Sequence, residues 1–323
     1  MPSSARKRWL MVFLAGLLIL LLSVPSNTGA FSFISVLSFI NFSIFKNILL
    51  KKGGDKRKVC LFNQKTTEGV LIKYVKTTLD YMLNIYYPNR DDVMHRFFNE
   101  VRLLRNLRGF LVYKFDFQDY FSSISTEYVY EFFIKEKIQY RQHKKIFELV
   151  LENLKYCCAG MPLSNALAEI VGRAFDDLLQ ARLKKEGLIY YNRYVDDVML
   201  IFGKDTSVDL CKKIIDETIK DIFYRTEKEV TPCSTRLNPN KVQYVRFEEI
   251  KNGGATVPID YLGYSVFFSV DQNKSCLKLQ YGIAKNKRDK YEKKLERKFC
   301  NFILFSVRRG SIFAPLLCFY GVF

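Results

Sequence analysis

The sequence predicts an α+β fold, an antiparallel sheet with helices on one face. Three observations predict it. Runs of β-formers recur at 109–117 ("GFLVYKFDF"), 191–202 ("YNRYVDDVMLIF"), 241–250 ("KVQYVRFEEI") and 255–268 ("ATVPIDYLGYSVFF"). Between them lie stretches whose apolar residues repeat at helical spacing. The order strand, helix, helix, hairpin, helix, strand pair is that of an α+β sheet covered on one side. With 323 residues, 49% of them hydrophobic, the chain can build two or three compact domains around a sizeable core.

The elements follow in order. Arg6, Lys7 and Arg8 precede an apolar run at 9–24, and "PSNTGA" then brings small residues. This is the pattern of a signal peptide or a short membrane anchor. A second apolar stretch, "FSFISVLSFINFSIF", starts at Phe31. It would lie in a membrane or pack as a helical hairpin, and untranslated sequence read from a mis-assigned start would look the same. Residues 1–50 are set apart as a hydrophobic N-terminal segment. The expected location is cytoplasmic, with membrane association through residues 9–50.

"KKGGDKRK" (51–58) reads as a solvated basic linker. A helical region spans 66–108, with Leu71, Tyr74, Val75, Leu79 and Met82 on one face. A turn at Asn89-Arg90-Asp91 leads into its second helix. "GFLVYKFDF" is the first strand. "STEYVYEFFIKEKIQ" reads as one helix, capped by Ser125 or Thr126 with Glu127 and Glu131 near its positive end. A long helix opens at Met161-Pro162, with proline in its first turn. Residues 191–202 read as strand, turn, strand, and 208–223 as a helix. The next two β-runs form strands around a hairpin turn, "KNGG". "KNKRDKYEKKLERKF" closes the series as a strongly basic helix.

Lys and Arg outnumber Asp and Glu by 51 to 33, a net charge of +18. That excess favours a polyanionic partner, nucleic acid before an anionic membrane surface. Richness in Lys, Asn, Ile, Phe and Tyr also fits an AT-rich gene. The eight cysteines contain no CxxC pair, and His95 and His143 lie far apart. The cysteines read as scattered reduced thiols and not as a disulfide framework or a zinc site. Metal chemistry in this chain must use carboxylates, which suits Mg²⁺.

Three carboxylates stand out. Asp116 closes the first strand, and Asp196 and Asp197 sit at the turn of "YVDD", 80 residues later. If those strands are neighbours, the three converge on one sheet edge. Two Mg²⁺ ions about 3.5–4 Å apart would bind there and offset the repulsion between adjacent aspartates. Asp91-Asp92 and Asp176-Asp177 read as solvated or helix-face charges. A YxDD tetrapeptide alone is weak, and context must supply the rest.

That context is a resemblance. "YKFDFQDYFSSI", "GMPLSNALAEI", "YVDD", "LNPNK" and "YLGY" resemble, in order, the palm motifs of reverse transcriptases. The likeness is to bacterial-type enzymes: retron, group II intron and abortive-infection or antiviral reverse transcriptases. It covers about residues 105 to 270 and implies a polymerase palm with helical fingers and a partial thumb. The implied boundaries are 51–108 for linker and fingers, 109–270 for the palm and 271–323 for the thumb.

By position, the resemblance makes Asp116, Asp196 and Asp197 the catalytic metal ligands, with Asp116 and Asp196 most directly bridging the ions. It places Asp119 and Tyr120 where backbone amides meet the triphosphate. Phe121 becomes the gate against a ribose 2′-hydroxyl, and Gly160 the close backbone approach to a nucleotide. Lys241 becomes a charge stabiliser or proton donor near the incoming nucleotide. Tyr261, Leu262, Gly263 and Tyr264 match the primer-grip turn. Arg193 would contact phosphate; Lys114, Arg102, Arg105 and Arg108 are candidates for triphosphate-binding cations. In the last helix Lys285, Lys287, Arg288, Lys293 and Lys294 would grip the duplex backbone. One departure is clear: "YCCA" (156–159) replaces the usual proline-glutamine pair before Gly160.

The implied activity is RNA-directed DNA polymerisation, adding deoxynucleotides to a primer 3′-hydroxyl. Its partners would be an RNA template, a DNA or RNA primer and deoxynucleoside triphosphates. The alternative from another class is a non-catalytic RNA-binding or splicing-assistance protein that keeps the palm as a scaffold.

Overall fold

A computed structural model describes residues 46–52, 55–61, 66–253, 258–271 and 276–308. An antiparallel hairpin comes first, β1 (Lys46–Lys52) against β2 (Asp55–Leu61). Two helices follow: α1 (Thr67–Leu83) and α2 (Arg90–Leu103). Their starts are fixed by side-chain caps. Thr66 accepts from the Gly69 amide at 3.2 Å, and Asn89 from the Asp91 amide at 2.9 Å. Next comes β3 (Leu111–Gln118), then short helical turns (Tyr120–Ser123, Thr126–Val129, Tyr130–Ile134) and α3 (Arg141–Glu152). Helix α4 (Pro162–Lys184) has its proline at the first position, where the missing N–H is no loss. The hairpin β4 (Leu188–Tyr194) and β5 (Asp197–Phe202) leads to α5 (Val208–Phe223). The chain continues through β6 (Arg236–Leu237), β7 (Gln243–Arg246), β8 (Ile259–Tyr261), β9 (Tyr264–Asp271) and β10 (Cys276–Ile283) to α6 (Lys285–Arg308).

The central sheet is antiparallel, in the order β4-β5-β3, with β6 and β7 sharing the far side of β3. Strand β3 is buried on both faces, and its period-2 alternation divides the core. Leu111, Tyr113, Phe115 and Phe117 join Val198, Leu200 and Phe202 against α1, α3, α4 and α5. On the other face Val112, Met199, Ile201 and Tyr190 pack against α2 and a small sheet, β10-β9-β8. Lys114 and Asp116 share that second face by alternation. The fold is thus a palm-like α+β arrangement, as the sequence predicts.

Four expectations are corrected. The basic stretch at 51–58 is not a solvated linker: its described residues belong to β1 and β2, whose backbones pair in register from Lys46↔Leu61 to Lys52↔Asp55. Membrane association through residues 9–50 is withdrawn. Among the described residues no helix is long and apolar enough to cross a membrane, and Lys46 to Leu50 lie in a strand; residues 9–45 lie outside the described residues. The helix expected at 125–139 is broken into successive turns. The turn at Tyr130–Ile134 is wider than an α-helical one, and Tyr130 and Ile134 are both buried there. Finally, "KNGG" does not join paired strands. The Phe247 amide donates to Phe110 O at 3.1 Å, and a short helix (Phe247–Lys251) buries Phe247 and Ile250. The tight hairpin lies instead at Leu262–Gly263.

Candidate metal centre

Backbone register builds the site. Strands β3 and β5 pair with Asp116 opposite Asp197, the last pair of the ladder. Asp196 belongs to the two-residue turn that joins β4 to β5, closed by the pair Tyr194↔Asp197. Ligand oxygens of the three carboxylates lie within 4.8 Å of one another. The 80-residue separation is closed by a single strand pairing.

The turn is strained. Val195 has φ 60°, and Asp196 does not share that sign, the pattern of a type II′ turn that normally carries glycine first. A β-branched residue there costs about 1–3 kcal/mol. Two hydrogen bonds hold it: Arg193 Nη1 donates to Val195 O at 2.9 Å, and the Phe117 amide donates to Asp196 O at 3.2 Å. The second ties the turn directly to the strand that carries Asp116.

Arg193 is itself held by anions. Its side chain is buried and bonds Asp176 through Nε at 2.8 Å and Glu169 through Nη2 at 2.8 Å. The Tyr191 hydroxyl also donates to Asp176. Gly172 gives the guanidinium its space, since a Cβ there would stand 2.5 Å from it. The expectation that Arg193 contacts phosphate is therefore corrected, as its donors are spent inside the protein. Asp176 is likewise no solvated charge but half of this clamp.

Two lysines meet the carboxylates. Lys241 Nζ lies 2.9 and 3.0 Å from the two Asp116 oxygens. Lys114 Nζ lies 3.2 Å from Asp197 Oδ1. Asp196 has no cation bonded to it among the described residues. Burial, then the Asp116 and Asp197 carboxylates, push the Asp196 carboxyl up to about 6. Burial raises Asp116 as well, against the opposing hydrogen bond from Lys241. Lys241 is lowered by its own burial, but the bond to Asp116 and the three nearby carboxylates outweigh this and raise it. A site that crowds three carboxylates and pushes one toward protonation is short of positive charge. Its donor set is all oxygen, with no His or Cys, and fits a hard divalent cation.

The remaining expected site residues separate into two groups. Asp119 is exposed, with a left-handed backbone (φ 48°) at the start of the turn that carries Phe121. Phe121 is half-buried beside the core. Tyr120 is buried: its hydroxyl donates to Ala168 O at 3.0 Å, and its ring stacks on Phe117. Only its backbone is left for a ligand. Gly160, at φ 91°, is required by packing: a Cβ would meet Val59 Cγ1 at 2.8 Å and Cys60 O at 3.2 Å. The Cys60 amide donates to Ala159 O at 3.0 Å, so β2 docks on the "YCCA" stretch just before Gly160.

Tyr261 is fully buried with no partner for its hydroxyl among the described residues, whereas Tyr264 is 41% exposed. Leu262 and Gly263 have φ 46° and 86°, a type I′ turn. Arg90 and Lys287 both donate to Leu262 O, the latter at 3.3 Å. Lys114 is buried and ion-paired, not free for a triphosphate; Arg102, Arg105 and Arg108 are exposed at and beyond the end of α2. Sequence reasoning missed the Arg193 clamp. Its signal was Glu169 and Asp176, seven residues apart on one helix face with Gly172 between them.

No protein-family model matches the chain, and no curated protein matches it. Solved structures do. Telomerase from Candida albicans, in complex with the TWJ fragment of telomeric RNA, aligns at 14% identity with a TM-score of 0.50. The alignment covers 73% of this chain and 47% of that one. Apo telomerase from Candida tropicalis aligns at 14% identity and a TM-score of 0.45, over 79% of this chain and 50% of that one. The first match carries the structural argument: the chain has a reverse-transcriptase-like fold, and it spans about half the length of the telomerase it matches.

Proposed function

We propose that the protein is an RNA-directed DNA polymerase that extends a primer 3′-hydroxyl with deoxynucleotides on an RNA template. The observation that carries this reading is the convergence of Asp116, Asp196 and Asp197 at one end of the β3–β5 ladder. These carboxylates would hold two Mg²⁺ ions. When bound, the ions lower the pKa of the primer hydroxyl and stabilise the in-line transition state and departing pyrophosphate.

The chain's own residues do the rest. Arg193 fixes the turn that presents Asp196. Phe121, half-buried one residue after Tyr120, bars a ribose 2′-hydroxyl. Exposed Asp119 and the amides after it face the triphosphate. Lys241, whose side chain is 53% exposed, stands ready to give charge or a proton to pyrophosphate. The Leu262–Gly263 turn, with Tyr264 exposed beside it, holds the primer backbone. We read 51–108 as fingers, 109–270 as palm and 271–323 as thumb, whose exposed lysines meet the duplex. The five ordered motifs favour the retron, group II intron or antiviral type, and hence a retroelement or defence role.

Primer extension with Mg²⁺, an RNA template and deoxynucleotides tests the reading. Asp196→Asn is expected to abolish incorporation while RNA binding persists. Retained incorporation by that variant would sink the mechanism. Absence of incorporation by the wild-type chain, with RNA binding intact, would favour the scaffold alternative. The observation on that side is that β2 occupies the backbone at Ala159, where the family carries its glutamine.

A further inference from the structure

The two lysines of the metal centre are not equivalent. Lys241 sits on a single turn of 3-10 helix (Pro239–Lys241), and its side chain is 53% exposed. Its ammonium can turn out to water, and a cation entering the site would then replace it on the buried Asp116 carboxylate. Lys114 sits on the central strand β3, between Met199 of β5 and Gln243 of β7, and its side chain is 11% exposed. For Lys114 to leave Asp197 it would have to remain buried without a partner, which is far less favourable. Alternation along β3 also fixes it on the face that carries Asp116, two residues away.

We propose that Lys114 is a built-in counter-charge of the metal centre. It stays on Asp197 Oδ1 when metal enters, while Lys241 is displaced. This rests on the reading that the triad takes divalent cations. Two consequences follow. The site then presents a net charge of about −2 to the incoming ions rather than −3. Asp197 offers one free oxygen, so Asp116 and Asp196 do most of the bridging. Lys114 is thus a positioning residue that sets metal affinity and the role of Asp197, not a ligand of the triphosphate.

The test measures Mn²⁺ binding to the full chain by the loss of the free-ion paramagnetic resonance signal. Lys114→Met removes a unit charge from a buried position beside the carboxylates, and Mn²⁺ affinity is expected to rise on the order of ten-fold. Lys114→Arg is expected to restore wild-type affinity. Unchanged affinity in Lys114→Met overturns the proposal. Weakened affinity overturns it too, since a residue that merely props up Asp197 would act that way. A second measurement needs no variant: amine acylation of the wild-type protein, read by mass spectrometry with and without Mg²⁺. Lys241 labelling is expected to rise several-fold with Mg²⁺, while Lys114 stays protected throughout. A Mg²⁺-dependent rise at Lys114 overturns the proposal. Failure of the wild type to bind Mn²⁺ at all would instead remove the metal reading on which it rests.

Discussion

Two hairpin turns, Val195–Asp196 and Leu262–Gly263, are built alike and used differently. Each places a bulky residue at positive φ, Val195 at 60° and Leu262 at 46°. Each has its first carbonyl clamped by cationic side chains, Arg193 on one and Arg90 with Lys287 on the other. The difference lies in what stands behind the clamp. Arg193 is buried, its donors spent on Glu169 and Asp176, whose two charges more than balance it. Arg90 and Lys287 have no carboxylate partner among the described residues. Burial, then Arg90 and Lys290, hold the Lys287 ammonium below its usual range. The first turn is a closed electrostatic unit that orients carboxylates. The second carries unspent positive charge, which is what a polyanion needs to find.

Breaking the closed unit should have the largest effect. Arg193→Met leaves Glu169 and Asp176 buried without their cation, and loss of about 3–5 kcal/mol of stability is expected. Chemical denaturation at neutral pH measures it. A loss below about 1 kcal/mol would mean the clamp is not the closed unit described.

The carboxylates held by that turn give the next effect. A carboxyl whose folded pKa is raised opposes folding when ionised. With Asp196 at about 6, the opposition is full above pH 6 and vanishes below the unfolded value near 4. Asp196→Asn should therefore stabilise the metal-free protein at pH 7.5, on the order of 2 kcal/mol. The gain should shrink as pH falls from 6 to 4. Thermal melts in chelator across that range check both sign and window. In Mg²⁺ the ranking should reverse, because the wild type gains from binding and the variant does not.

How much of this was legible beforehand differs between the same two regions. Asp116, Asp196 and Asp197 could be read because their motifs are short and local, although β3 runs two residues past Asp116, to Gln118. The "YLGY" turn was equally readable, since Gly263 supplies the positive φ a tight hairpin demands. The clamps were not. Arg193 finds Glu169 and Asp176 only when α4 lies across the sheet, and Arg90 reaches Leu262 from 172 residues away. The β1–β2 hairpin was hidden for another reason. Its run of lysines suggested a solvated linker, although the Gly-Gly between two runs was a hairpin signal in its own right. The Glu169–Gly172–Asp176 spacing marks a helix face, but nothing local to it names the cation that comes to meet it.

Unspent charge at the second turn predicts a smaller effect. Arg90→Met and Lys287→Met should each weaken binding of a primer–template duplex a few-fold. Each should also reduce the slope of log affinity against log salt by about 1, whatever the sequence. Fluorescence anisotropy at several salt concentrations reads this. An unchanged slope would mean these cations serve only the Leu262 carbonyl, and the contrast between the turns would fail.

The smallest effect isolates the strain the two turns share. Leu262→Gly should relieve the positive φ, but glycine also gives the unfolded chain more freedom. The net change should stay within about 1 kcal/mol. Val195→Gly has the same local gain, yet it also loosens the residue whose carbonyl Arg193 grips. Stability should again change by less than about 1 kcal/mol, but Mn²⁺ affinity should fall in Val195→Gly and not in Leu262→Gly. If both variants bind the ion equally well, backbone rigidity at Val195 plays no part in holding Asp196. The strain there would then be a by-product of the hairpin and not a means of aiming a carboxylate.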